Sequence, residues 1–221
     1  MSRVRILIVN VNLNRETLSG CEGIEEAVRR LTPEVEICIQ HWTDLASGWP
    51  LDSAWDASIL GPNETPFPAY PSGFKLFLKQ VEKHKRPLLG ICGGHQVLGL
   101  AFGSEVGPVY DIPAPTRDYE GLPKVKGQVS LVVEEHGRNV ALLSGLPSRM
   151  TLDASHVEEL RSVPEGFELI ASTPLCLVQI MAHRNLPLFG IQCHPEREWP
   201  RTDGRRILQN FLALVDASAA S

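Results

Sequence analysis

The sequence predicts an α/β fold: three layers, α/β/α, with a mainly parallel central sheet and antiparallel additions. Three observations predict it. Short, continuously apolar and β-branched runs such as Arg5–Asn10 and Leu88–Ile91 have the pattern of strands covered on both faces. In the first half these runs alternate with stretches of helical periodicity, and that order argues for a parallel sheet with helices on both faces. In the second half strand-like segments follow one another across turn residues rather than helices, which argues for antiparallel strands added to the same sheet.

Arg5–Asn10 opens the series as a strand. Ile24, Ala27, Val28 and Leu31 recur at i, i+3, i+4 and i+7, an amphipathic helix that must end by Pro33. Val35, Ile37 and Ile39 alternate with Glu36, Cys38 and Gln40, as a half-buried strand does. Ala57–Leu60 is a third strand and runs into Gly61-Pro62. Ser72 is placed to cap a helix carrying Phe74, Phe77, Leu78 and Val81 on one face. Leu88–Ile91 is a fourth strand, followed almost without a loop by a helix through Val97, Leu98 and Ala101. Val125–Val133, Glu168–Ser172, Cys176–Ala182 and Leu188–Cys193 then read as strands. A final helix, capped by Thr202 or Asp203, puts Ile207, Leu208, Phe211 and Val215 on one side. Val109–Lys124, with Pro113, Pro115 and Pro123, is the least patterned stretch and reads as a surface excursion. No repeat or separating linker divides the chain, so residues 1–216 read as a single domain and 217–221 as a frayed tail.

Composition narrows the function classes. Hydrophobic residues make up 43% and charged residues 21%, which excludes a disordered chain, a coiled coil and a collagen-like rod. The longest apolar runs, among them stretches such as Ile6–Val9 and Pro87–Ile91, fall far short of the ~20 residues of a membrane span. Met1–Val4 lacks the apolar stretch of a signal peptide, so a cytoplasmic location is expected. A net charge of −5 argues against a nucleic-acid partner. The one basic run, Lys83-His84-Lys85-Arg86, reads as a helix C-terminus, where cations complement the dipole. Five cysteines, odd in number and without a C-x-x-C pair, suit a reducing compartment better than a disulfide framework or a zinc site.

Gly90-Ile91-Cys92-Gly93-Gly94 sits where a buried strand turns into a helix. A nucleophile at such an elbow adopts strained backbone angles, and its neighbours two before and two after must be small. Gly90 and Gly94 meet that demand. The elbow aims the thiol at a helix N-terminus, which favours thiolate, and places the Gly93 amide to bind an oxyanion. A buried structural thiol in a glycine-rich turn reads the same on this motif alone; a phosphate loop does not, because its glycine spacing and its lysine are missing. A thiolate hydrolase also needs a base and an acceptor that orients the base. Of seven histidines, His41, His84, His136 and His183 lie in polar or turn contexts and are expected at the surface, and His95 falls inside the helix start. His194 follows a buried strand and precedes Pro195-Glu196. Proline keeps the chain extended there, so His194 and Glu196 share a side.

These two motifs resemble a known family. Gly90-Ile91-Cys92-Gly93-Gly94-His95-Gln96 and Gly190-Ile191-Gln192-Cys193-His194-Pro195-Glu196 are similar to the paired signatures of class I (triad) glutamine amidotransferases. Ser155-His156 with Glu158-Glu159-Leu160, Val163–Phe167, and Thr202-Asp203-Gly204 before Ile207–Phe211 most resemble the amidotransferase part of GMP synthases. The resemblance implies Cys92 as nucleophile, His194 as general acid/base and Glu196 as its orienting partner. It implies oxyanion amides at Gly61 and Gly93, and a glutamine pocket lined by Gln96, Ser155 and His156, largely through backbone groups. It implies no metal and no cofactor. With no synthetase domain in the chain, the expected partner is a separate synthetase that takes up the ammonia; neither nucleic acid nor membrane is expected.

The sequence departs from the family pattern at four places. Gly61-Pro62-Asn63-Glu64 stands where a Gly-Gly-Pro loop is usual, Gly93 replaces a larger residue, Cys193 an aromatic one and Glu158 an aspartate. Cys193 is expected to face away from His194. Two alternatives stay open: a γ-glutamyl peptidase using the same triad, and a non-catalytic regulatory subunit that keeps the fold.

Overall fold

The structure is a computed structural model and describes residues 3–48, 54–199 and 201–219. Met1, Ser2 and the last two residues of the expected tail lie outside the described residues. The elements run β1 (Arg5–Asn10), α1 (Ser19–Leu31), β2 (Glu36–His41), α2 (Trp42–Leu45), β3 (Ala57–Leu60), α3 (Phe74–Lys83), β4 (Leu88–Ile91) and α4 (Gly93–Ala101). The second half adds β5 (Val106–Pro108), β6 (Val125–Val133), β7 (Arg149–His156), β8 (Glu158–Leu160), β9 (Phe167–Ser172), β10 (Ile180–His183), β11 (Leu188–Ile191) and α5 (Gly204–Ala219).

Among the described residues nine strands form one sheet in the order β2-β1-β3-β4-β11-β10-β9-β6-β7. The first five are parallel neighbours, and β10, β9, β6 and β7 join antiparallel, as the alternation along the sequence implies. Residues of β1 alternate between two cores. Ile6 and Ile8 pack with Ile24 and Val28 of α1 and with Ile207 and Phe211 of α5. Leu7 and Val9 pack with Trp42 and Leu45 of α2, Phe77 of α3, and Val97 and Leu98 of α4. The sheet is thus covered on both faces, which gives three layers. Fully buried side chains such as Phe77 and Phe211 each contribute about 1.5–3 kcal/mol on leaving water.

Several expectations are corrected. Ser72 does not cap α3: the N-cap is Gly73, and the Ser72 carbonyl accepts from Lys75 N–H as a turn winds directly into the helix. The strand expected over Cys176–Ala182 begins only at Ile180, because Thr173 and Cys176 close a turn on each other and the register shifts after Ile180. Strand β7 was not anticipated, although Met150, Leu152, Ala154 and His156 alternate as buried positions. The final helix continues past Ala217 to Ala219. Thr202 Oγ1 donates to the Arg197 carbonyl, and the Asp203 carboxylate accepts from Thr151 N–H at 2.7 Å, which ties the start of α5 to β7. His41 and His84 are buried, not exposed. His41 is held by Thr43 Oγ1 and the Asn12 carbonyl.

Candidate active site

β4 ends at Ile91 and α4 begins at Gly93, so Cys92 alone makes the connection. Its φ of 52° and ψ of −106° are strained for a residue with a side chain. The strain is held from both sides: Cys92 N–H donates to Ile191 O at 2.8 Å, and Gln96 N–H donates to Cys92 O at 3.1 Å. The tightness of the turn accounts for its flanking glycines. A Cβ on Gly90 would stand 2.5 Å from Gly94 O, and one on Gly94 would stand 2.6 Å from the Leu60 carbonyl carbon. The sulfur therefore sits at the N-terminus of α4, where first-turn amides have no partner within the helix.

β11 lies parallel to β4 with Ile191 opposite Ile91, so the chain leaving β11 arrives beside the elbow. His194 N–H donates to Asp153 O of β7 at 2.8 Å, which fixes the backbone of His194. Its Nδ1 lies 2.7 Å from Glu196 Oε1, and both side chains are only 2% exposed. Arg197 Nε lies 3.4 Å from the same carboxylate oxygen. Burial alone would lower the His194 pKa; the charges of Glu196 and Cys92, with a hydrogen bond to each, outweigh it and raise the pKa to about 10. His194 thus keeps its second proton at neutral pH.

A cleft of about 340 Å³ opens over these groups. Cys92, His194, Gln96, Ser155 and His156 all reach it, and Glu196 stands behind His194. Ser155 O lies 3.9 Å from the Cys92 sulfur. Gly61 does not join them: its N–H donates to Val9 O at 3.0 Å, inside the sheet. The next residues of that loop, Pro62 and Asn63, form the wall instead. A Cβ on Gly93 would stand 2.5 Å from the Asn63 amide nitrogen. Two of the departures from the family pattern are therefore one: the altered loop presses onto the helix start, and only glycine leaves room for it.

Other cleft residues come from segments that motif reading left aside. Tyr119, inside the Val109–Lys124 excursion, donates from Oη to Glu158 Oε2 at 2.6 Å, so the excursion folds over the cleft and Lys124 joins its wall. Burial raises the Glu158 pKa against the opposing effect of that bond. His156 bonds through Nδ1 to the Glu158 carbonyl at 3.0 Å, which makes Nδ1 the donor; burial pushes its pKa down to about 4, so it is neutral. Burial likewise holds His95, beneath the elbow, at about 3. Cys193 turns its thiol to Gln179 Oε1 at 3.2 Å, and burial raises its pKa. The only signal for Tyr119 and Lys124 in the sequence was an unpatterned stretch carrying aromatic and charged residues.

The glutamine amidotransferase class-I family model matches residues 61–215. The chain belongs to this family. Over 130 residues it is 39% identical to a glutamine-hydrolyzing GMP synthase subunit from Methanocaldococcus jannaschii, covering 59% of this chain and 61% of that one. It is 33% identical over 140 residues to the protein of the same name from Archaeoglobus fulgidus, covering 63% and 66%. The match thus spans about three fifths to two thirds of these relatives' length. A solved structure from Thermoplasma acidophilum superposes with a TM-score of 0.77 at 24% identity, covering 100% of this chain and 98% of the other. A glutamine amidotransferase from Thermotoga maritima gives 0.69 at 16% identity, with both chains covered in full. These two likenesses concern the fold.

Proposed function

We propose that this amidotransferase hydrolyses the side-chain amide of glutamine through a thioester at Cys92 and supplies the ammonia to a separate synthetase subunit of the GMP synthase kind. One observation carries the reading: a cysteine on a strained elbow shares a cleft with a buried histidine whose far nitrogen is 2.7 Å from a buried glutamate. The Cys92 thiolate attacks the carboxamide carbon. The oxyanion is met by the N–H groups of Gly93 and Asn63, since that of Gly61 is committed to Val9. His194, charged and oriented by Glu196, gives its proton to the departing ammonia and then draws one from water as it attacks the thioester. Ammonia leaves, then glutamate, and the thiolate and imidazolium are restored. The partner is inferred from the relatives' names. A single amidotransferase domain in the cytoplasm is the setting that fits five unpaired cysteines.

The test is glutamate release by the purified chain, first by itself and then with its acceptor and a GMP-forming synthetase. Turnover that rises on adding the synthetase is expected. Faster turnover on γ-glutamyl peptides than on glutamine overturns the substrate, and no release under any condition overturns the activity.

A further inference from the structure

A buried chain of amides runs beneath the cleft, and the proposed chemistry gives it no task. Gln192 is fully buried and follows β11 at the level where Cys92 follows β4. Its backbone N–H donates to Gln179 O at 2.9 Å. Its side chain crosses toward the elbow, where Nε2 lies 3.8 Å from the Cys92 sulfur. Its Oε1 accepts from Gln96 Nε2 at 3.1 Å, and Gln96 Nε2 also donates to the Glu158 carbonyl at 2.8 Å.

That last bond decides how both amides point. A backbone carbonyl only accepts, so the nitrogen of Gln96 must face Glu158, and its second hydrogen goes to Gln192. Gln192 must then offer oxygen to Gln96 and nitrogen to sulfur. The orientation is set by a strand distant in sequence and owes nothing to the thiol. An N–H held against sulfur is a ready donor to a thiolate, because hydrogen bonds to a charged partner are the stronger ones.

We propose that Gln192 is a positioning residue for the nucleophile, its side-chain amide holding the Cys92 thiolate toward the cleft while Gln96 and Glu158 hold the amide. The inference rests on the reading of Cys92 as the nucleophile. It adds a donor that acts on the resting enzyme, before any substrate oxygen needs stabilising.

Gln192→Glu inverts the contact, and Gln192→Met removes it without adding a charge. The first keeps the shape and the bond from Gln96, but turns the group facing sulfur from a donor into an acceptor. The readout is the rate at which iodoacetamide alkylates Cys92 in the full chain, followed peptide by peptide across acid to alkaline pH. The expected result is a profile displaced to higher pH, with labelling at neutral pH slower by about tenfold, the usual scale for one hydrogen bond to a charged group. For glutamine, kcat should fall while KM moves by no more than about twofold. A folded Gln192→Glu protein with the wild-type profile overturns the proposal. If that variant does not fold, Gln192→Met takes its place with the same readout, and an unchanged profile again overturns it. Alkylation needs no glutamine, so a displaced profile in a chain that never hydrolyses glutamine sinks the function and spares this inference. An unchanged profile in an active enzyme does the reverse.

Discussion

Replacing Gly93 with Ala adds one methyl group where α4 meets the loop after β3. The new carbon would stand 2.5 Å from the Asn63 amide nitrogen and closer still to that residue's side-chain oxygen. Unbonded heavy atoms settle at about 3.5–4.0 Å, so roughly 1 Å of movement is required. The helix start cannot supply it. Gly94 already lies against the Leu60 carbonyl, and Cys92 is bound to Ile191 and Gln96. The loop must yield, and Asn63 carries the second proposed oxyanion donor. Overpacking of this kind costs about 1–3 kcal/mol. In a domain of this size each kcal/mol lowers Tm by roughly 2–4 °C, so the melt should fall by only a few degrees. The catalytic loss should be much larger, because one displaced oxyanion donor costs about 10²–10³ in kcat. Glutamate release and a thermal melt on the same protein check both numbers. Adding Asn63→Gly removes the oxygen but leaves the amide, so the pair of changes should recover part of the loss and show coupling. A Gly93→Ala enzyme with wild-type kcat and wild-type Tm would refute the reasoning.

Three further outcomes are expected. Cys92→Ala should abolish glutamate release with little change in Tm, and an electrophilic glutamine analogue should modify Cys92 alone among the five cysteines, as peptide mapping will show. The His194 ring should stay protonated through neutral pH, and Glu196→Gln should return its NMR titration toward the ordinary 6.5 while leaving a measurable activity. Since folding raises this pKa from 6.5 to about 10, the pair stabilises fully below the lower value and is lost as pH rises through the upper; the stability gap to His194→Gln should therefore narrow over that window in denaturant melts. Tyr119→Phe removes a bond to a buried carboxylate, worth about 1.5–3 kcal/mol, and should speed hydrogen exchange in Val109–Lys124 without altering the far edge of the sheet.

What could be read in the sequence is what a local rule governs. The elbow was legible because strain at Cys92 demands small residues two positions to either side, and Gly90 and Gly94 supply them. The proximity of His194 and Glu196 was legible because proline keeps the intervening backbone extended. β1, β3 and β4 were legible because strands buried on both faces must be continuously apolar, and β2 because a half-buried strand alternates. One local rule lost to another at the start of α3. Ser72 is a good capping residue, but the turn from Pro71 winds straight into α3, and its hydroxyl is left with no role at the cap. Asp203 does stand directly before α5, and its carboxylate also accepts from Thr151 N–H across the fold.

Gly61 shows why even a motif that aligns with a family can misplace a single atom. Its position after β3 suits an oxyanion donor, but a backbone N–H serves only one strong acceptor, and Val9 O of the neighbouring parallel strand is 3.0 Å away. Strand pairing runs one residue further than the motif allows for, and Asn63, further along the loop, lines the cleft and is the donor we propose in its place. That transfer brings Asn63 against the helix start, and the helix start answers with a second glycine at position 93. Each departure looked like an isolated change in the sequence because its cause lay in the other, thirty positions away. The same logic covers Gln192 and Gln96, which sit inside the two signature motifs and are oriented by neither: the Glu158 carbonyl sets both amides. Signature residues can be recognised one strand at a time, whereas the direction in which each points is decided between strands.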